Sequence, residues 1–134
     1  MSDRVLLVSK DEIYLDRAAS LLSQAHFSVQ IGRTLSQALR HIDVEGPQVI
    51  VLDEQISEPE VWECCLQLRR KSQAPILITG PSADSYALIK AINQGADFYL
   101  KRPYPESEFV ARIRALVRRQ EFSRANINST AVVS

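Results

Sequence analysis

Strand-length runs rich in apolar residues recur along the chain at Val5 to Val8, Ser28 to Ile31, Val49 to Leu52, Ile76 to Thr79 and Phe98 to Leu100. Three of them are continuous rather than alternating, which suits strands covered on both faces, as in a parallel sheet wrapped by helices. Between the first two runs, Leu15, Ala18, Leu22 and Ala25 recur every three or four residues and mark one side of a helix from Asp11 to Ala25. The same spacing returns in Leu35, Ala38, Leu39 and Ile42; in Val61, Cys65 and Leu68; in Leu88, Ala91 and Ile92; and in Phe109, Ile113, Leu116 and Val117. Thr34 and Ser82 are placed to cap the second and fourth helices, and Gly95 to end the fourth, with Gly46-Pro47 marking a further turn. Strand followed by helix, five times over, predicts an α/β domain: a doubly wound five-stranded parallel sheet with helices on both sides. From Phe122 onward the amphipathic period is lost. Residues 1–121 are therefore expected to form the domain, and residues 122–134 a flexible tail or the start of a linker.

A chain of 134 residues fits one such domain. Its sixteen basic residues balance sixteen acidic ones, so no global field draws it to nucleic acid or to anionic lipid. Neither direct nucleic-acid binding nor membrane association is expected. The opening MSDRVLLV carries an apolar run far too short for a signal peptide or a bilayer span. The only cysteines, Cys64 and Cys65, are neighbours on a helix and point about 100° apart, which suits neither a disulfide, nor a CxxC redox pair, nor a zinc knuckle. One is expected in the core and the other half-exposed, in a cytoplasmic, reducing setting. His26 and His41 have no partner at ligand spacing, and no phosphate loop or GxSxG nucleophile elbow is present. Hydrolase chemistry is set aside.

Ligands of open parallel sheets sit beyond the carboxyl ends of the strands. Ser9, Lys10, Asp11 and Glu12 stand there after the first run, Asp53 and Glu54 after the third, Thr79 and Gly80 at the fourth, and Lys101 and Arg102 after the fifth. The strings RVLLVSKDE, PQVIVLDEQ, APILITG, NQGADFYLKRPY and ESEFVARIRALVRR, in this order between Arg4 and Arg119, resemble the CheY-like receiver domains of two-component response regulators. They are most similar to receivers of the winged-helix (OmpR/PhoB-type) subfamily. The resemblance implies a flavodoxin-like (βα)5 fold in which an Asp ending the third strand accepts a phosphoryl group from a histidine kinase. Asp53 falls on that position.

The rest of the implied site departs from the pattern. Ser9 and Lys10 stand where the family has an acidic pair that holds Mg²⁺, with Asp11 next in line as a displaced ligand. Gly80 aligns with the family's hydroxyl residue, while Thr79 comes one place early and is expected to point to the other side. Arg102, followed by Pro103, replaces the family's lysine before a cis-proline. Phosphoryl transfer to a carboxylate needs the charge on the phosphoryl oxygens neutralised, and in this family the divalent metal does most of it. Mg²⁺ prefers anionic oxygens, whereas Lys10 adds a positive charge. Mg²⁺ binding is therefore expected to be weak or absent, with no metal ligand and no cofactor assigned. Lys10 is expected to pair with Asp53, and Arg102 to approach from the other side.

The last helix extends the resemblance. In the winged-helix subfamily the fourth helix, fifth strand and fifth helix form a two-fold dimer face sewn by ion pairs. Carried over, those charges are Lys90, Asp97, Glu108, Arg112 and Arg119, a set with both signs, as a self-complementary patch requires. Phe98 replaces an acidic residue usual there. The chain is thus read as an atypical, non-enzymatic receiver domain: a regulatory, dimerising module that does not need Mg²⁺-dependent phosphorylation. It would be the input half of a transcription regulator or a stand-alone adaptor, with a histidine kinase or a DNA-binding output domain as partner. One alternative is an active receiver phosphorylated on Asp53 with the help of Asp11. Another is a binding module for a small anionic ligand held by Lys10 and Arg102.

Overall fold

The computed structural model describes residues 2–81 and 85–133, the side chains of 85–88 and 123–133 excepted. Five strands, β1 (Arg4–Val8), β2 (Ser28–Gly32), β3 (Val49–Asp53), β4 (Ile76–Gly80) and β5 (Phe98–Lys101), alternate with five helices. The helices are α1 (Glu12–Gln24), α2 (Leu35–Val44), α3 (Val61–Lys71), α4 (Ser85–Asn93) and α5 (Glu106–Val133). The sheet is parallel throughout, in the order β2-β1-β3-β4-β5. Strand order reverses between β1 and β3, which opens a crevice at their carboxyl ends.

The continuous apolar runs are explained by the two cores. Leu6, Val8, Ile50, Leu52, Ile76, Ile78 and Tyr99 pack on one side against α2, α3 and α4. Their neighbours Val5, Leu7, Val49, Val51, Leu77 and Leu100 pack on the other side against α1 and α5. Adjacent strand residues point to opposite faces, so a strand buried on both must be apolar at every position. β3 and β4 are buried along their whole length.

Local signals place the helix ends. Thr34 accepts the Gln37 N–H at 3.1 Å and caps α2. Gly95, at φ +98°, closes α4: its N–H donates to Ile92 O and the Ala96 N–H reaches back to Ala91 O, each at 3.0 Å. The same closure after α1 uses His26 at φ 72°, with the Phe27 N–H on Leu22 O, a turn that the sequence did not announce. Ser82, read as the cap of α4, lies outside the described residues, as does the side chain of Leu88.

Two expectations are corrected. Both Cys64 and Cys65 are buried, because α3 is covered by the sheet and also by the segments before it and after α4; their thiols donate to Pro59 O and Gln94 O. Ile92 is exposed rather than in the core: α4 turns Ala91 inward and leaves Ile89 and Ile92 outside. Beyond Phe122 the backbone continues as helix to Val133. Loss of an apolar stripe removes a packing face, and helical propensity does not depend on one.

Candidate functional site

The carboxyl ends of β1, β3, β4 and β5 gather around Asp53, whose side chain is 3% exposed. Both of its oxygens are engaged. Oδ2 accepts the Ser9 hydroxyl at 2.6 Å, while Oδ1 accepts the Gln55 N–H at 2.9 Å and Arg102 Nη2 at 2.7 Å. Ser9, fully buried at the end of β1, is held in turn by the Asp11 N–H, which donates to its Oγ at 3.0 Å. A short polar side chain at position 9 thus delivers a neutral donor where an acidic one would repel Asp53.

Arg102 enters from the end of β5, its own N–H donating to Gly80 O at 2.7 Å. Its guanidinium lies over the ring of Tyr14, 4.4 Å from the centroid, and carries the cation–π contact together with the ion pair to Asp53. The Arg102-Pro103 peptide is cis, and leads into Tyr104. The Tyr104 hydroxyl lies 2.9 Å from that of Tyr14, and its ring stacks on Phe109 at 4.9 Å. Burial pushes both phenols above their ordinary range, so they stay neutral and serve as hydrogen-bonding ends of an aromatic wall. Tyr14, Arg17, Gln55, Arg102, Tyr104 and Glu106 line a cavity of about 500 Å³ on this edge.

Lys10 does not do what the sequence suggested. It is exposed and makes no ion pair with Asp53; the cation at Asp53 is Arg102, on the α1 and α5 side. Of the two cations named as joint holders of a small anion, Arg102 is already paired with Asp53. Asp11, named as a displaced metal ligand, is the N-cap of α1, its Oδ1 accepting the Tyr14 N–H at 3.1 Å. Thr79 is buried and donates its hydroxyl to Leu100 O at 2.7 Å, on the face opposite to the one its β4 neighbours Ile78 and Gly80 share. At Gly80 the place of a side chain is taken by Glu54, which accepts a hydrogen bond from the Tyr99 hydroxyl.

Four of the five charges assigned to a dimer face, Lys90, Asp97, Arg112 and Arg119, have partners within the chain. Asp97 accepts from Arg69 at 3.1 Å, from the Ile76 N–H at 2.9 Å and from Arg119 at 2.7 Å. Arg112 lies over the Phe98 ring at 4.0 Å, so the phenylalanine found in place of an acidic residue keeps a contact to this arginine through its π face. Lys90 lies over the Trp62 ring at 5.0 Å, and Glu108 is exposed in the first turn of α5.

With this geometry in place, the comparison with known proteins is direct: the description of the response regulator receiver domain matches residues 5–114. The chain belongs to the response regulator receiver domain family. It is 30% identical over 131 residues to the probable transcriptional regulator ycf27 of Cyanophora paradoxa, across 97% of this chain and 55% of that protein. It is 28% identical over 124 residues to the alkaline phosphatase synthesis transcriptional regulatory protein PhoP of Bacillus subtilis, across 92% of this chain and 52% of that one. The receiver thus spans about half the length of these relatives. In fold it matches a CheY-like receiver domain protein of Methanospirillum hungatei, with a TM-score of 0.84 at 21% identity over 92% of this chain and 99% of the other. A two-component response regulator of Clostridium difficile gives 0.83 at 21% identity, over 89% of this chain and 98% of that one. Among the described residues no helix is long and apolar enough to cross a membrane.

Proposed function

We propose that this receiver is an atypical one, whose conformation is set by the internal contacts of the Asp53 pocket and not by Mg²⁺-assisted phosphorylation. The observation that carries this reading is the engagement of both oxygens of the buried Asp53 carboxylate by Ser9, Gln55 and Arg102. A phosphoryl donor would have to reach a carboxylate that is 3% exposed and already paired with a guanidinium, which weakens it as a nucleophile. The donor set also argues against a metal. Mg²⁺ is held through one or two carboxylates together with water, and here the carboxylate at hand is already paired with a guanidinium while Asp11 caps a helix. Among the described residues no group of three or more His, Cys, Asp or Glu gathers around a point that would hold a metal ion. No phosphorylation step through Mg²⁺ is therefore derived for this chain.

The module would act in the cytoplasm as the input half of a transcription regulator, with a DNA-binding output domain as its partner and a histidine kinase as its upstream contact. Supporting this are its relatives, a probable transcriptional regulator and a transcriptional regulatory protein, of each of which it covers about half. It would pair with a second copy through α4, β5 and α5, where Ile89 and Ile92 offer apolar area. Incubation with acetyl phosphate and Mg²⁺, followed by intact mass measurement, tests the central reading. No gain of about 80 Da is expected. A gain that disappears in Asp53→Asn would overturn it.

A further inference from the structure

Glu54 occupies space that the sequence leaves open at position 80. A β-carbon added to Gly80 would overlap the β-carbon and Oε1 of Glu54. Gly80 has no positive φ, so close approach and not backbone conformation is what calls for glycine there. The main chain at residue 54 is held, because its N–H donates to Thr79 O at 2.8 Å and ties the loop after Asp53 to β4. Its carboxylate thus passes over the end of β4 and receives the hydroxyl of Tyr99 on β5. Tyr99 is 7% exposed and packs in the same core as Ala91 of α4 and Ala96 before β5.

We propose that Glu54 is a latch: it fixes Tyr99, and through Tyr99 the α4–β5 layer, to the loop that carries Asp53. A hydrogen bond to a charged acceptor at a buried hydroxyl is among the stronger ones a protein makes, and a missing β-carbon at 80 lets it form. The latch gives the Asp53 loop a mechanical connection to α4 and β5 that needs no hydroxyl residue at the end of β4. It goes beyond the preceding reading and stands whether or not Asp53 accepts a phosphoryl group.

Three variants, Glu54→Ala, Tyr99→Phe and Gly80→Ala, break the latch from its three ends, and amide hydrogen exchange of the full chain reads the effect. Each is expected to speed exchange in α4 and β5 by about tenfold while β1 and β2 keep their protection. The double variant Glu54→Ala/Tyr99→Phe is expected to match the faster of its two singles, since both remove the same contact. Tyr99→Phe keeps the ring in the core, so it remains informative if Gly80→Ala does not fold. Unchanged exchange in α4 and β5, loss of protection spread evenly over the sheet, or additive effects in the double variant would each overturn the proposal.

Discussion

Arg102 closes the Asp53 pocket: its Nη2 sits 2.7 Å from Asp53 Oδ1, with the two side chains 17% and 3% exposed. An ion pair this deep is costly to break from one side, because the remaining charge stays buried without a counterion. Arg102→Ala is expected to destabilise the fold by about 3 kcal/mol in urea unfolding, and Arg102→Ala/Asp53→Asn to recover part of that loss. A single variant as stable as the parent would mean that the pair contributes nothing.

The absence of a second carboxylate is the next lever. Placing acids at 9 and 10 with Ser9→Asp/Lys10→Asp sets a carboxylate beside Asp53, where the Ser9 hydroxyl now donates at 2.6 Å. The variant is expected to be less stable than the parent without metal and to regain stability with Mg²⁺, by about 1.4 kcal/mol at ten times its Kd. The parent's melting midpoint is expected not to move with Mg²⁺.

The two thiols give a dependence on pH. Burial, with the Glu60 and Glu63 charges adding to it, pushes Cys64 up to about 11; burial also takes Cys65 to about 11, against the opposing pull of Arg69. Against an ordinary value of 9.0, the thiolate fraction at neutral pH falls by about a hundredfold. Alkylation of the native protein at pH 8 is expected to be at least that much slower than in urea. The sign for stability follows: between about 9 and about 11 the unfolded chain gives up a thiol proton that the folded chain keeps. Stability therefore falls as pH rises through this window, which unfolding curves at pH 8 and 10 can check.

Arg112→Glu tests the pairing face. It removes the cation from over Phe98 and puts an acid on the α5 side of the proposed pairing face. Size-exclusion chromatography should show a shift toward the monomer. An identical elution volume for parent and variant would count against association through this face.

Much of this fold could be read from spacing alone. The two-sided burial of β3 and β4 forces unbroken apolar runs, and the caps at Thr34 and Gly95 carry their chemistry in the residue type. The place of Asp53 followed from the end of its run. Which cation would meet Asp53 did not, because Lys10 and Arg102 stand equally near a strand end in sequence. The direction in which the chain leaves β1 and β5 decides between them, and that direction is set by packing against α1 and α3. The burial of both cysteines was hidden for a similar reason: a helix covered on two sides has no solvent face on either of those sides. The Glu54 contact was legible only as a pair of oddities, an acid after β3 and a glycine ending β4, whose relation needs the register of the sheet.

Asp97 has consequences for how two copies would recognise one another. Its carboxylate already receives Arg69, Arg119 and a main-chain amide. A neighbour's arginine that took the place of the protomer's own Arg119 on this acid would leave the number of salt links unchanged. Raising ionic strength would then weaken both sides of the exchange alike, so self-association through this patch would be nearly indifferent to salt and governed by how well the isoleucines of α4 fit together.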